Sequence, residues 1–222
     1  MTRVLVIAAH PDDELLGLGG TIARHAREGD EVTAVVVSEG ATSRYATGAE
    51  DDLRAAGRAA AAILGTRDLR FLGLRDQRLD AEPILDVIRP VEAIVREVRP
   101  EIVYTHHWGD LNRDHRVVSE AALVACRPVG DDYPRRLYCF ETPSSSEWSS
   151  TDLSLQFVPN HFVDVSATIE AKLRAMACYA TEVRPAPHPR ALESLRTRAA
   201  YWGQVVGRAY AEPFVLVREL RG

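Results

Sequence analysis

Short apolar runs rich in β-branched residues alternate along the chain with longer segments of helical periodicity. The short runs predict strands and the longer segments predict helices. Strands are predicted over residues 4–8, 31–37, 69–72, 102–105, 136–141, 162–165 and 214–217. Helices are predicted over residues 15–28, 50–64, 83–98, 115–126, 169–179 and 191–207.

This alternation predicts an α/β fold, a Rossmann-like, mostly parallel sheet with helices on both faces. With 222 residues, of which 46% are hydrophobic, the chain is long enough to bury one sizeable core. Neither a linker nor an internal repeat interrupts the pattern. We therefore expect a single domain over residues 1–222.

The stretch Ala9-His10-Pro11-Asp12-Asp13-Glu14 directly follows the first predicted strand. Pro11 fixes its own φ and steers His10 toward extended backbone, so the side chains of His10 and Asp13 can converge as the strand turns into a helix. Zinc binds His nitrogen and Asp oxygen atoms, and a catalytic zinc site has three protein ligands and a water molecule. A third ligand must therefore come from elsewhere in the chain.

A second polar segment, Asp110-Leu111-Asn112-Arg113-Asp114-His115, follows the fourth predicted strand. In doubly wound sheets, ligands bind beyond the carboxyl ends of the strands, at the point where the strand order reverses, and strands 1 and 4 are typically neighbours there. His115 is thus the best candidate for the third ligand. The alternative is a histidine at the start of a helix with no functional role.

Charge and composition exclude several classes of function. The chain has 27 basic and 32 acidic residues, a net charge of −5, and no basic run, so nucleic acid is not an expected partner. Cys126, Cys139 and Cys178 are far apart and form no C-x-x-C pair, which favours buried thiols over a disulfide framework. No segment approaches the roughly 20 apolar residues of a membrane span, and the first apolar run is too short for a signal peptide. We expect a cytoplasmic protein without stable membrane insertion.

Gly17, Gly19 and Gly20 follow the first strand, where a dinucleotide-binding fold has its glycines. Their spacing does not match G-x-G-x-x-G, and the acidic turn before them would repel a pyrophosphate. We therefore expect these glycines to allow close packing of the first helix on the sheet.

The two polar segments resemble the LmbE/PIG-L family of zinc-dependent de-N-acetylases, whose signature is an AHPDDE-type strand end followed by an HxDH-type segment. The resemblance extends from residue 3 to about residue 218. It implies that His10, Asp13 and His115 hold zinc, for which another divalent metal could substitute. It also implies that Asp12 is the general base that acts on the metal-bound water.

Other residues of the two segments have supporting or alternative roles. Asp12 could instead cap the following helix. Glu14 is expected to support a metal ligand, and Asp114 to orient a histidine other than its neighbour. Where the family often has a histidine three residues before the last ligand, this chain has Asn112. Asn112 is therefore a candidate substrate contact, and another histidine must supply the donor or acid for the reaction.

The candidates for that missing histidine are His106, His107 and His188. His188 lies between two prolines and resembles the carboxyl-terminal histidine of some deacetylases of the family, so we prefer it, with His107 second. Candidate substrate contacts outside the two segments are Arg44, Arg54, Asp76 and Arg190, of which the resemblance favours Arg54 and Asp76. The alternative for each is an ordinary solvated charge.

Each of three further features allows two interpretations. The polar segment 142–151 is a surface loop or a lid. Trp108 and Trp148 could stack on a sugar ring or could serve packing.

The resemblance implies a hydrolase of linear amides that removes acetate from an N-acetylated amino sugar or a conjugate of one, a small-molecule partner. One alternative is an amidase of a thiol-sugar conjugate. Another is a non-catalytic binding protein with a structural metal, which leaves Asp12 without a purpose because a structural zinc has four protein ligands and no open position. The sequence leaves open whether the chain forms a homo-oligomer.

Overall fold

The computed structural model of the protein describes residues 1–43, 49–130 and 132–221. Within these residues one sheet contains the strands β1 (Arg3–Ala8), β2 (Glu31–Ser38), β3 (Asp68–Leu74), β4 (Ile102–His106), β5 (Arg136–Phe140), β6 (His161–Asp164) and β7 (Ala211–Glu219). The α-helices are α1 (Asp13–Arg27), α2 (Ala49–Leu64), α3 (Ile84–Val98), α4 (Arg113–Ala125), α5 (Ile169–Met176) and α6 (Leu192–Val205). Two short 3-10 helices cover Leu79–Ala81 and Ser146–Trp148.

The strand order is β3-β2-β1-β4-β5-β7-β6. The strands from β3 to β5 pair in parallel, whereas β7 lies antiparallel to both β5 and β6. The predicted mostly parallel α/β fold is confirmed. Strands β1 and β4 are neighbours, with Ile7 opposite Thr105, so the chain leaves both strands at the same edge of the sheet. The helix predicted over residues 169–179 is shorter than expected, since α5 ends at Met176.

Helices cover both faces of the sheet, so β1 is buried on both sides. Val4 and Val6 point into a core with α1, α2, α5 and α6. Leu5 and Ile7 point into a second core with α3 and α4. Alternate residues of a strand face opposite ways, which explains why this apolar run shows no alternation with polar residues.

Helix α1 packs very closely on the sheet, as its glycines predict. A Cβ at Gly17 would lie 2.4 Å from Cδ2 of Phe140 in β5. The helix also bends at Leu18, whose φ of −146° is not helical. The short segment before the bend begins at Asp13 and therefore carries the acidic residues of the first motif.

None of the helices that the structure describes is both long and apolar enough to span a bilayer. Two of the three cysteines are buried thiols as predicted, Cys126 and Cys139, but Cys178 is only half-buried.

Candidate metal centre

Three donor atoms from two strand ends lie together at the carboxyl edge of the sheet. Nδ1 of His10 is 3.1 Å from Oδ2 of Asp13 and 3.2 Å from Nε2 of His115. The third side of the triangle, from Nε2 of His115 to Oδ2 of Asp13, is also 3.2 Å. All three residues are buried. The structure thus brings the three predicted ligands together.

The triangle fits a tetrahedral metal ion. Ligand atoms at about 2.0–2.1 Å from such an ion lie roughly 3.3–3.4 Å from one another, close to the observed separations. Within the described residues, Oδ1 of Asp13 is buried without a hydrogen-bond partner. Because a buried carboxylate oxygen rarely lacks a partner, this atom also indicates that the group is built for a cation. Two nitrogens and one oxygen are a donor set that suits zinc and several other divalent metals.

Carboxylates hold the opposite nitrogen of His10. Nε2 of His10 lies 3.2 Å from Oδ2 of Asp114 and 3.3 Å from Oδ1 of Asp76. Asp114 is fixed in turn by the backbone N–H groups of Gln77 and Leu79. A proton on Nε2 that faces these carboxylates leaves the Nδ1 lone pair free for a metal ion. We therefore regard His10, Asp76 and Asp114 as support for one ligand and not as a second metal site.

Asp110 holds His115 in a similar way. Oδ1 of Asp110 lies 3.1 Å from Nδ1 of His115, on the side of the ring away from the triangle. The hydroxyl groups of Ser145 and Ser146 donate to the two oxygens of Asp110. Asp110 is completely buried, so the carboxylate has no competing contact with water.

The carboxylates make the centre attractive to positive charge. Burial alone would lower the pKa of both histidines, but Asp114 and Asp13 raise that of His10 to about 9. For His115 the same opposition between burial and the charges of Asp13 and Asp110 gives a pKa of about 10. The pKa of Asp13 lies well below its usual value, because burial, which would raise it, is outweighed jointly by the charge of His115 and the hydrogen bonds with His10, His106 and His115. Protons and a metal cation therefore compete for this centre.

Asp12 does not cap helix α1. Its side chain makes no capping hydrogen bond within the described residues, and only its carbonyl oxygen accepts from Leu15 and Leu16. The backbone φ of Asp12 is 102°, which is unfavourable for any residue with a Cβ atom. Such strain occurs mostly at functional sites. The alternative role as a helix cap is thus wrong.

The carboxylate of Asp12 instead binds Arg190. Nη1 of Arg190 lies 2.9 Å from Oδ2 of Asp12 and 2.8 Å from Oε2 of Glu182. Burial raises the pKa of Asp12 to about 7, and the charge of Arg190 opposes that rise. The charge of Asp13 raises this pKa further, whereas the charge of His10 lowers it.

Glu14 supports Asp12 and not a metal ligand. Oε2 of Glu14 accepts from the backbone N–H of Asp12 at 3.2 Å, and Oε1 lies 3.2 Å from the hydroxyl of Tyr179. The expectation that Glu14 supports a metal ligand is therefore wrong, because its partner is Asp12. Its contact helps to hold the strained backbone of Asp12.

The two candidate catalytic histidines, His188 and His107, have different neighbours. His188 is half-buried, its Nδ1 accepts from the backbone N–H of Arg190, and its ring stands edge-on to Trp148. His107 is buried between Trp108 and Phe157, and its Nδ1 accepts from Gly109. No side-chain hydrogen bond of the described residues connects His107 to the metal ligands; its Nε2 is buried without a partner, and its carbonyl oxygen accepts from the backbone N–H of Asp110. His188 thus lies on the segment that contacts Asp12, whereas His107 belongs to the packing around Trp108.

The predicted substrate contacts are mostly engaged within the protein. Asn112 is the N-cap of α4, where its Oδ1 accepts from the backbone N–H of Asp114. Asp76 is 2% exposed and contacts His10, and Arg190 binds Asp12, so both lie behind the reacting groups. Arg54 is half-buried above the ring of Phe71. Arg44 lies outside the described residues.

The segment 142–151 is neither a plain surface loop nor, at its start, free to act as a lid. Thr142 is buried beside Nδ1 of His106, and the following serines contact Asp110 and Arg190. Trp148 is 52% exposed next to His188, so it can still meet a ligand. Trp108 is 39% exposed and donates to the carbonyl of Ser154.

Several residues around the centre were not predicted as its supports. They are His106, which is stacked on His115 at 4.0 Å, Asp110, Glu182, Ser144, Ser145 and Ser146. The cluster of three serines was visible in the sequence only as a polar run. Burial of hydroxyl groups cannot be deduced from such a run, because most serine-rich segments are exposed.

A family model described as GlcNAc-PI de-N-acetylase, PIG-L, matches residues 5–126, more than half of the chain. A 1D-myo-inositol 2-acetamido-2-deoxy-alpha-D-glucopyranoside deacetylase of Mycolicibacterium smegmatis is 30% identical over 240 residues, which cover 85% of this chain and 83% of that protein.

Two solved structures share the fold. The N,N'-diacetylchitobiose deacetylase of Pyrococcus horikoshii superposes with a TM-score of 0.76 and 25% identity, covering 97% of this chain and 84% of that one. The 4-carboxy-2-hydroxymuconate hydratase GalB of Pseudomonas putida has a TM-score of 0.77 and 25% identity, and covers 100% of this chain and 98% of that one. The fold alone therefore does not determine the reaction. The family match and the relative together show that the chain belongs to the PIG-L (LmbE) family of de-N-acetylases.

Proposed function

We propose that the protein is a zinc-dependent hydrolase that removes acetate from an N-acetylated amino sugar or from a conjugate of one. The observation that carries this proposal is the triangle of His10, Asp13 and His115. The neighbouring residue Asp12, with a buried carboxylate and a strained backbone, supports it. Three protein ligands leave one position for water or substrate, which is the pattern of a catalytic zinc site.

Bound zinc would lower the pKa of a coordinated water toward about 7 and polarise the amide carbonyl. Asp12 would accept the proton of the attacking water and pass it to the leaving amine. Arg190 and Glu14 would hold the side chain and the backbone of Asp12 in place during both transfers. Buried Asp114 and Asp110 would orient the two histidine ligands.

We assign to His188 the role of hydrogen-bond donor to the developing oxyanion or of acid for the leaving amine. Its segment contacts Asp12 through Arg190, and its ring is half-exposed beside Trp148. His188→Ala is then expected to lower kcat roughly 10²-fold with zinc still bound. An unchanged kcat in the zinc-loaded variant would remove His188 from the mechanism.

We infer the substrate class from the description of the family model, GlcNAc-PI de-N-acetylase, and from two relatives that are named as deacetylases of N-acetylated sugars. Trp148, the amide nitrogen of Asn112 and Arg54 are the candidate contacts that remain near the surface. An amidase of a thiol-sugar conjugate would use the same chemistry. We further propose that residues 1–222 act as one catalytic domain in the cytoplasm.

Hydration of an unsaturated acid is the second candidate, because GalB shares the fold at the same identity as the chitobiose deacetylase. A panel of N-acetylated sugars, free, nucleotide-linked, lipid-linked, thiol-linked and attached to antibiotics, tests the deacetylase directly through release of acetate and free amine. An unsaturated hydroxy tricarboxylic acid in the same panel tests the hydratase. Cleavage of an acetamide by the zinc-loaded protein and not by His115→Ala supports the proposal. Hydration without amide cleavage, or bound zinc without either reaction, overturns it.

A further inference from the structure

Residues Ser144, Ser145 and Ser146 form a run, here called the serine bracket, that lies against two different parts of the centre. Nε of Arg190 donates to Oγ of Ser144 at 2.8 Å, and Arg190 in turn binds Asp12. The hydroxyl groups of Ser145 and Ser146 donate to opposite oxygens of Asp110. One short run therefore contacts Arg190, the partner of the candidate base, on one side and Asp110, the partner of a candidate metal ligand, on the other.

On the ligand side, Asp110 and its contact with Ser145 are buried. Ser145 is 7% exposed and Asp110 is completely buried. Asp110 also accepts from the backbone N–H of Asn112 at 2.9 Å, so its Oδ1 is fixed where it meets His115. Carboxylates that orient a metal-binding histidine, and the groups that hold those carboxylates, affect metal affinity.

On the base side, the contact with Arg190 is made by Ser144, a residue with a strained backbone. Ser144 has a φ of 71°, a conformation rarely adopted by residues with a Cβ atom. Its backbone N–H donates to Oε1 of Glu147, and Arg198 binds both Glu147 and Glu141. The surrounding structure thus holds Ser144 in the position from which its hydroxyl meets Arg190.

We propose that the serine bracket is a two-sided positioning element. Ser144 positions Asp12 through Arg190, and Ser145 with Ser146 positions His115 through Asp110. These serines touch neither metal nor substrate in this role, so they are positioning residues. The inference rests on the proposed function for its base side, but its ligand side needs only that the centre binds a metal.

The two sides predict different losses. Ser145→Ala combined with Ser146→Ala is expected to weaken zinc binding roughly 10–100-fold in competition with a chelating dye. Ser144→Ala is expected to leave zinc affinity within about twofold and to lower kcat about tenfold with KM unchanged, because a misplaced base affects only the chemical step. Arg190→Met is expected to behave like Ser144→Ala, and Arg190→Lys to recover part of the lost kcat.

Two controls separate positioning from a general loss of structure. Ser150→Ala removes an exposed hydroxyl of the same segment, which within the described part of the chain accepts from the backbone N–H of Asp152, and is expected to change neither quantity. Ser144→Gly relieves the positive φ but also removes the hydroxyl, so it is expected to lose as much kcat as Ser144→Ala. Full activity of Ser144→Gly would show that the hydroxyl has no role.

The measurements distinguish failure of this inference from failure of the proposed function. Equal losses of zinc affinity and kcat in all variants, or no loss in any, overturn the serine bracket as a two-sided element. If the wild-type protein cleaves no acetamide, the proposed function fails. The zinc affinities of the variants then test the ligand side of the serine bracket by themselves. A loss confined to Ser145→Ala/Ser146→Ala supports the ligand side of the bracket, and equal affinities overturn it.

Discussion

Arg190 donates from Nη1 to Oδ2 of Asp12 across a distance of 2.9 Å, although 178 positions separate the two residues in the chain. The same nitrogen also contacts Glu182, so one cation lies between two buried carboxylates. This relationship gives Asp12 a fixed direction in the absence of any capping bond. The carboxyl-terminal part of the chain thus completes a centre whose candidate metal ligands and base come from the first 115 residues.

The backbone of Asp12 should be easier to form without a Cβ atom. We predict that Asp12→Gly is more stable toward urea than Asp12→Ala by about 1 kcal/mol, because φ is 102° and both variants lack the carboxylate. Both are expected to be inactive. If Asp12→Ala is as stable as Asp12→Gly in urea unfolding, the backbone at this position is not strained.

Close packing of α1 on β5 should make Gly17 intolerant of any side chain. Gly17→Ala places a methyl group 2.4 Å from the ring of Phe140, so we predict a loss of roughly 1–3 kcal/mol in the free energy of unfolding. The loss is expected to shrink in a Phe140→Leu background, since the smaller side chain leaves room. A double-mutant cycle measures this coupling, and additive losses would refute the contact.

The support of His10 should control metal affinity. We predict that Asp114→Asn weakens zinc binding roughly 10–100-fold, because the amide lacks the negative charge that faces Nε2 of His10. Competition with a chelating dye provides the measurement. Asp80→Asn is the matched control, because Asp80 is exposed in the short helix Leu79–Ala81. Equal affinities of Asp114→Asn and wild type would show that Asp114 does not support the ligand.

Thiol reactivity should follow burial. Burial raises the pKa of both Cys126 and Cys139 to about 12, so almost no thiolate is present at pH 8, and neither side chain is exposed. We predict that iodoacetamide modifies only the half-buried Cys178 in the folded protein and all three cysteines in urea. Mass spectrometry counts the labels. Rapid labelling of Cys126 or Cys139 before unfolding would contradict the packing around them.

Most strands and helices could be predicted because apolar periodicity is a local property of the chain. Strand β1 reads as a continuous apolar run since both of its faces are buried, and α1 ends near the predicted Gly29. The antiparallel direction of β7 had no such signal, since side-chain pattern does not reveal strand direction. The end of α5 at Met176 was also missed, because residues 177–179 continue the helical pattern.

The residues of the site could be predicted only where they lie in one motif or follow neighbouring strand ends. His10 and Asp13 share one motif, and His115 follows the neighbouring strand end, so a topological rule placed all three at one edge. The contact of Asp76 with His10, and that of Arg190 with Asp12, join distant segments through loops. Neither periodicity nor motif spacing contains that information. The roles of these residues therefore remain predictions that need variants.

The proposal that Asp12 is the general base of a zinc-dependent deacetylase is tested most directly by comparing Asp12→Asn with the wild-type protein at equal zinc content. The substrate is the N-acetylated sugar of the panel that is cleaved fastest. Asparagine keeps the size of Asp12 but cannot accept the proton of water. We predict one zinc ion per chain in both proteins and a loss of kcat of roughly 10²–10⁴-fold in the variant. A zinc-loaded Asp12→Asn protein that releases acetate at the wild-type rate would contradict the role of Asp12 as the base.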